Sequence, residues 1–142
     1  GEQAAIDAAL PVMTERGAKR ALPLAVSVAS HSPLMASISD EFAQTLADTS
    51  FTTPAVPVIG NVNAAPLESE DAIRAELGAQ LTSTVRWTES VNFMRDAGVE
   101  SFIEIGPKDV LTGLMKRIDR KANRVALNSA DAIAAFVNAA QS

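Results

Sequence analysis

The sequence predicts an α/β domain with a mostly parallel sheet. Three observations predict it. Short apolar runs rich in branched residues recur along the chain, stretches with apolar residues at helical spacing separate them, and no tight hairpin signal joins one run to the next. Strands that alternate with helices connect by crossovers, which make parallel pairs. At 142 residues the chain is long enough for one core.

The elements follow in order. Residues 3–16 place Ile6, Leu10 and Met13 on one helical face, and Gly17 is a good stop. ALPLAVSV, 21–28, reads as a buried strand, with Pro23 marking an edge or a start. Ser32-Pro33 opens a helix, because serine caps well and proline at the first position loses no hydrogen bond. Ile38, Phe42 and Leu46 give that helix a core-facing stripe. AVPVIGNV, 55–62, reads as a second strand and APLESED as a loop. Glu70 and Asp71 suit the first turn of a helix whose apolar face is Ile73, Leu77 and Leu81. After TSTVRW, SVNFMRDAG reads as a short helix ending at Gly98. VESFIEI is a third strand, followed by a Gly106-Pro107 turn and the helix VLTGLMKRID. NRVALN is a fourth strand, and SADAIAAFVNAA closes the chain with Ile133, Phe136 and Val137 inward.

Composition narrows the function classes. Hydrophobic residues are 47% and charged residues 20%, an ordinary globular balance. A net charge of -5 argues against nucleic-acid binding through bulk charge. With no cysteine there is neither a disulfide nor a thiolate nucleophile or ligand, which fits a reducing, cytoplasmic setting. No apolar run approaches the ~18 residues of a membrane span. One histidine, without HExxH or an acidic calcium loop, argues against a metal site.

Ligands gather at the carboxyl ends of strands in open α/β sheets. Those positions hold Ser30 and His31, Asn61 and Asn63, Gly106 and Pro107, and Asn128. His31 precedes the Ser32-Pro33 helix start, whose dipole would favour the neutral imidazole that a general base requires. The residues alone leave His31 either such a base or a surface loop histidine. No serine has a nucleophile-elbow context. The glycines stand at 1, 17, 60, 78, 98, 106 and 113, so no pair has the GxSxG spacing. Lys116, Arg117, Arg120, Lys121 and Arg124 form a basic cluster that either complements a helix C-terminus or docks an acidic partner. Lys19 and Arg20 would extend it if they lay near. Trp87 reads as a packing anchor.

Taken together, GAKRALPLAVSVASHSPLM, VPVIGNVNA, LGAQLTSTVRWTESVNFM and GVESFIEIGPKDVLTGLMKRI resemble the malonyl-CoA:acyl-carrier-protein transacylases, in wording and order, to about Asn128. The resemblance implies the C-terminal half of such an enzyme. Residues 1–27 would end a small ferredoxin-like subdomain, and 28–142 would be the C-terminal part of an α/β-hydrolase-like subdomain. It implies ping-pong transfer of malonyl from coenzyme A to acyl carrier protein through an acyl-serine. His31 would be the general base, oriented by the backbone carbonyl of Gln80. Ser30, Asn61, Gly106 and Val110 would line the substrate pocket. Lys116, Arg117, Arg120 and Lys121 would be the carrier-protein docking candidates. No cofactor is implied, the coenzyme A thioester being substrate. The GHSLG serine, the arginine that holds the malonyl carboxylate and the N-terminal glutamine loop have no counterpart here and would come from the N-terminal half. Val-Ala-Ser-His, with serine before His31, is nearer the fatty-acid form than the modular polyketide forms, so malonyl is the expected acyl group. The competing readings are a non-catalytic fragment that binds acyl carrier protein, and a portion of a polyketide synthase acyltransferase domain.

Overall fold

The computed structural model describes residues 1–26 and 28–140. The order is α1 (Gln3–Glu15), a 3₁₀ segment (Pro33–Ile38), α2 (Ser39–Asp48), α3 (Glu70–Gln80), α4 (Trp87–Asp96), β1 (Ser101–Ile105), α5 (Val110–Ile118), β2 (Asn123–Leu127) and α6 (Ala130–Ala140). The chain forms two compact units, Gly1–Val85 and Arg86 onward.

In the first unit, α1 ends as Gly17 predicts. Gly17 takes φ 92°, its N–H donates to the Thr14 carbonyl, and the Ala18 N–H donates to that of Met13. This is the paired C-terminal closure that a left-handed glycine permits. The expected strand at 21–28 does not form. Residues 21–26 carry no regular structure, and Leu24 and Val26 are 80% and 71% exposed. Ser27 lies outside the described residues. A strand is stable only when a neighbour takes up its backbone groups, and no strand of this unit is present among the described residues to do so. The helix expected at Pro33 starts as a 3₁₀ segment, and Ser32 does not cap it. The Ser32 hydroxyl donates to the Ala29 carbonyl instead. Of the Ile38, Phe42 and Leu46 stripe only Leu46 is buried.

The expected strand at 55–62 reduces to one antiparallel bridge, Ile59 to Pro66. Two backbone bonds, Gly60 N–H to Ala65 and Leu67 N–H to Val58, close the chain into a narrow reversal. So part of APLESED, read as a loop, pairs back on its predecessor. Helix α3 starts where the acidic pair predicted, and Ser69 caps it by accepting the Ala72 N–H at 3.1 Å. Arg74 joins α3 to the end of α2: its guanidinium donates to the carbonyls of Leu46 and Thr49 and lies 4.9 Å over the Phe51 ring.

In the second unit, β1 and β2 pair in parallel from Ser101–Asn123 to Ile105–Leu127, with α5 as the crossover. Helix α4 starts at Trp87, three residues ahead of the expected run, and closes at Gly98 (φ 91°) with the same bond pair as α1. Glu104 on β1 accepts the N–H groups of Leu111 and Thr112 at 3.0 and 2.7 Å, tying the free donors of the first turn of α5 to the sheet. Val91, Met115 and Leu127 form the core, with 0%, 2% and 6% exposure. Helix α6 lies along β2 and is capped by Ser129. Ile133, Phe136 and Val137 are not buried as expected; each is at least 36% exposed. The fold is thus α/β with a small parallel sheet, two of the four expected strands being realised.

Candidate active site

The first unit brings His31 and Gln80 together across 49 positions of sequence: the His31 Nδ1 lies 2.8 Å from the Gln80 backbone oxygen. A carbonyl oxygen only accepts, so Nδ1 carries the proton and the lone pair of the neutral ring is left at Nε2. Both partners owe their placement to local structure. Gln80 is the last residue of α3, where carbonyls lack partners within the helix and the negative end of the dipole welcomes an N–H. His31 has φ 60°, a left-handed backbone that costs a non-glycine residue about 1–2 kcal/mol. Such a turn is retained where the surroundings over-determine it. The α-helix proper starts only at Ser39, so the ring is oriented by the C-terminal end of α3 rather than by a helix opening at Pro33.

Ser30, His31, Phe42, Leu77, Gln80 and Leu81 line a hollow of about 210 Å³. Three of these six are apolar, and Ser30 shares the hollow with the imidazole. Asn61 enters by an unexpected route. Its side-chain N–H donates to Gln80 Oε1 at 2.8 Å, so it holds the side chain of the residue whose backbone holds His31. Asn63 turns inward on its own loop, its Oδ1 accepting the Ala65 N–H.

Sequence reasoning missed Glu76. It is 6% exposed and its Oε1 accepts the Val62 N–H at 2.8 Å. A Cβ at Gly60 would stand 2.6 Å from its Oε2, so the loop approaches this closely because residue 60 is glycine. The available signal was spacing: Glu76 is four residues before Gln80, on the same face of α3.

Gly106 and Val110 belong to the second unit, at the carboxyl end of β1 and the start of α5. Gly106 has φ 145°, a backbone that favours glycine, and its N–H donates to Leu127. Val110 is 59% exposed. The basic cluster divides. Lys116, Arg117 and Arg120 surround an open hollow with Gly113. Lys121 instead borders a second one with Arg95, Asp119 and Glu100. The Arg124 guanidinium donates to the carbonyls of Asp119, Arg120 and Ala122, stapling its own turn. The carboxyl of Asp119 is held below the usual range, first by the Lys121 N–H and further by the Arg95 guanidinium 2.9 Å away. Trp87 lines an apolar cavity of about 200 Å³ with Met94, Phe102 and Met115. Among the described residues no group of three or more histidine or acidic side chains could hold a metal ion, and no helix is long and apolar enough to cross a membrane.

Residues 1–134 match the acyl transferase domain family. The chain belongs to that family. Its sequence is 46% identical over 135 residues to the malonyl CoA-acyl carrier protein transacylase of Escherichia coli K12, covering 95% of this chain and 44% of that protein. The crystal structure of the malonyl-CoA:acyl carrier protein transacylase of Xanthomonas oryzae superposes with a TM-score of 0.90 at 38% identity, over 98% of this chain and 44% of that one. A malonyl-transacylase solved with its type II polyketide synthase acyl-carrier protein gives a TM-score of 0.89 at 45% identity, over 97% of this chain and 45% of that one. The chain thus spans less than half the length of these acyltransferases and matches their C-terminal portion.

Proposed function

We propose that this chain acts as the C-terminal part of a malonyl-CoA:acyl-carrier-protein transacylase of fatty-acid synthesis. The observation that carries the proposal is the bond from His31 Nδ1–H to the Gln80 carbonyl, which leaves the lone pair at Nε2 to accept a proton. The serine would come from the GHSLG elbow of the N-terminal half. Residues 1–27 would then close a ferredoxin-like subdomain, and 28–142 would complete an α/β-hydrolase-like one. The exposed run around Leu24 and Val26 is what a strand of a larger sheet would look like without its neighbours.

In the first half-reaction the serine Oγ attacks the thioester carbonyl of malonyl-CoA and Nε2 of His31 takes its proton. The tetrahedral adduct collapses, the C–S bond breaks, and the imidazolium returns the proton to the leaving coenzyme A sulfur. In the second, the phosphopantetheine thiol of acyl carrier protein gives its proton to Nε2 as its sulfur attacks the malonyl-serine. The C–O bond then breaks and the serine oxygen recovers the proton. A carbonyl can accept Nδ1–H and fix the tautomer as a carboxylate does, so this reading needs no acidic triad partner. The chemistry calls for no cofactor and suits a cytoplasmic enzyme. In this reading Ser30 and Asn61 are the first unit's candidates for contacting substrate, and Gly106 and Val110 are the second unit's. Carrier-protein docking falls to Lys116, Arg117 and Arg120, whose charges share one hollow, and to Lys121, which borders the neighbouring one.

In the longer protein that carries the serine, His31→Ala should lower malonyl transfer to carrier protein by roughly 10²–10⁴-fold, the usual worth of a general base. Transfer at the unaltered rate would remove His31 from the reaction.

A further inference from the structure

The carboxylate of Glu76 has no part in the reaction just described, yet it is the most buried acidic side chain of the first unit. Space-filling alone does not account for it. An apolar side chain would pack there without losing the hydration of a charge, but could not accept the Val62 N–H. Its two oxygens meet the loop on either side of Asn61. Oε1 holds the Val62 N–H, and Oε2 packs against Gly60. Asn61, fixed between these points, donates to Gln80 Oε1, and the Gln80 carbonyl accepts from His31. Glu76 and Gln80 lie one turn apart on α3, so the helix grips the loop at Glu76 and receives it back at Gln80.

We propose that Glu76 is a positioning residue for the His31 imidazole, acting in series through the backbone at 60–62, the Asn61 amide and Gln80. Its consequence for transfer rests on His31 being the base; its effect on the ring does not.

His31 is the sole histidine in the chain, so ¹⁵N-histidine labelling of the full chain yields one pair of ring-nitrogen signals. The wild-type ring should be mainly the Nδ1–H tautomer. Glu76→Ala should lower the ratio of Nδ1–H to Nε2–H by about fivefold, the worth of one ordinary hydrogen bond. Asn61→Ala should do the same, and the double variant should fall no further, because links in series are not additive. Glu76→Gln, which retains an acceptor for Val62, should restore most of the ratio. Gly60→Ala, which displaces the carboxylate without deleting it, should lower the ratio and serves if Glu76→Ala fails to fold. A ratio unmoved by Glu76→Ala or Gly60→Ala, full additivity with Asn61→Ala, or a Glu76→Gln variant as impaired as the alanine would each overturn the proposal. The ratio is read without substrate, so a His31 inert in transfer would leave this result standing.

Discussion

ALPLAVSV in the first unit and SFIEI in the second are both apolar runs with branched residues, and they meet opposite fates. SFIEI becomes β1, because NRVAL arrives beside it by way of α5 and takes up its backbone bonds in register. The described part of ALPLAVSV stays irregular and exposed. The difference teaches that a strand is a property of a pair. The second unit carries its own β–α–β pairing within a short stretch of chain, whereas the first is held by helix contacts and side-chain bonds to backbone.

The largest effect should come from the core of the self-paired unit. Met115 is 2% exposed, on the crossover helix that lies over both strands. Met115→Ala should cost about 2–5 kcal/mol in a denaturant titration, as for other large-to-small changes in a packed core. A loss under ~1 kcal/mol would mean that the crossover is not what holds β1 to β2.

The bond between Glu104 and α5 sharpens the same point through pH. The Thr112 N–H, and with it that of Leu111, holds the Glu104 carboxyl below the ordinary glutamate range. The folded state therefore prefers the ionised form. That contribution is present above the pKa of the unfolded chain and is lost as pH falls through the lower folded value. Glu104→Gln keeps one acceptor and does not titrate. It should be less stable than wild type at neutral pH, by a margin that shrinks toward acid. Denaturant midpoints measured down the acid limb check this; a margin constant with pH would show that the charge on Glu104 contributes nothing.

Local signals were legible in the sequence and tertiary ones were not. Gly17 and Gly98 announced two helix ends, and each forms the same closure because that geometry needs only a left-handed residue and the preceding turn. Glu70 and Asp71 announced α3 for a similarly local reason. His31 and Gln80 could be paired only by resemblance, since 49 positions separate them and the bond uses a backbone atom with no residue signature. Glu76 was invisible because an acidic residue beside Leu77 reads as the wet side of a helix. Only the closed loop at 60–62 turns that side into an interior.

The smallest effect tests the first unit directly. Leu24 is 80% exposed in a run that sequence alone would bury. If that run has no partner within this chain, Leu24→Ser removes little buried surface. Unfolding free energy should change by less than about 0.5 kcal/mol, the usual range for surface positions. Self-association, followed by sedimentation at rising concentration, should fall, because an exposed apolar segment outside any sheet is a template for another chain. A destabilisation above ~1 kcal/mol would mean that Leu24 is packed in the folded chain. The contrast between a self-paired unit and one whose strand awaits a neighbour would then fail at the residue that displays it most openly.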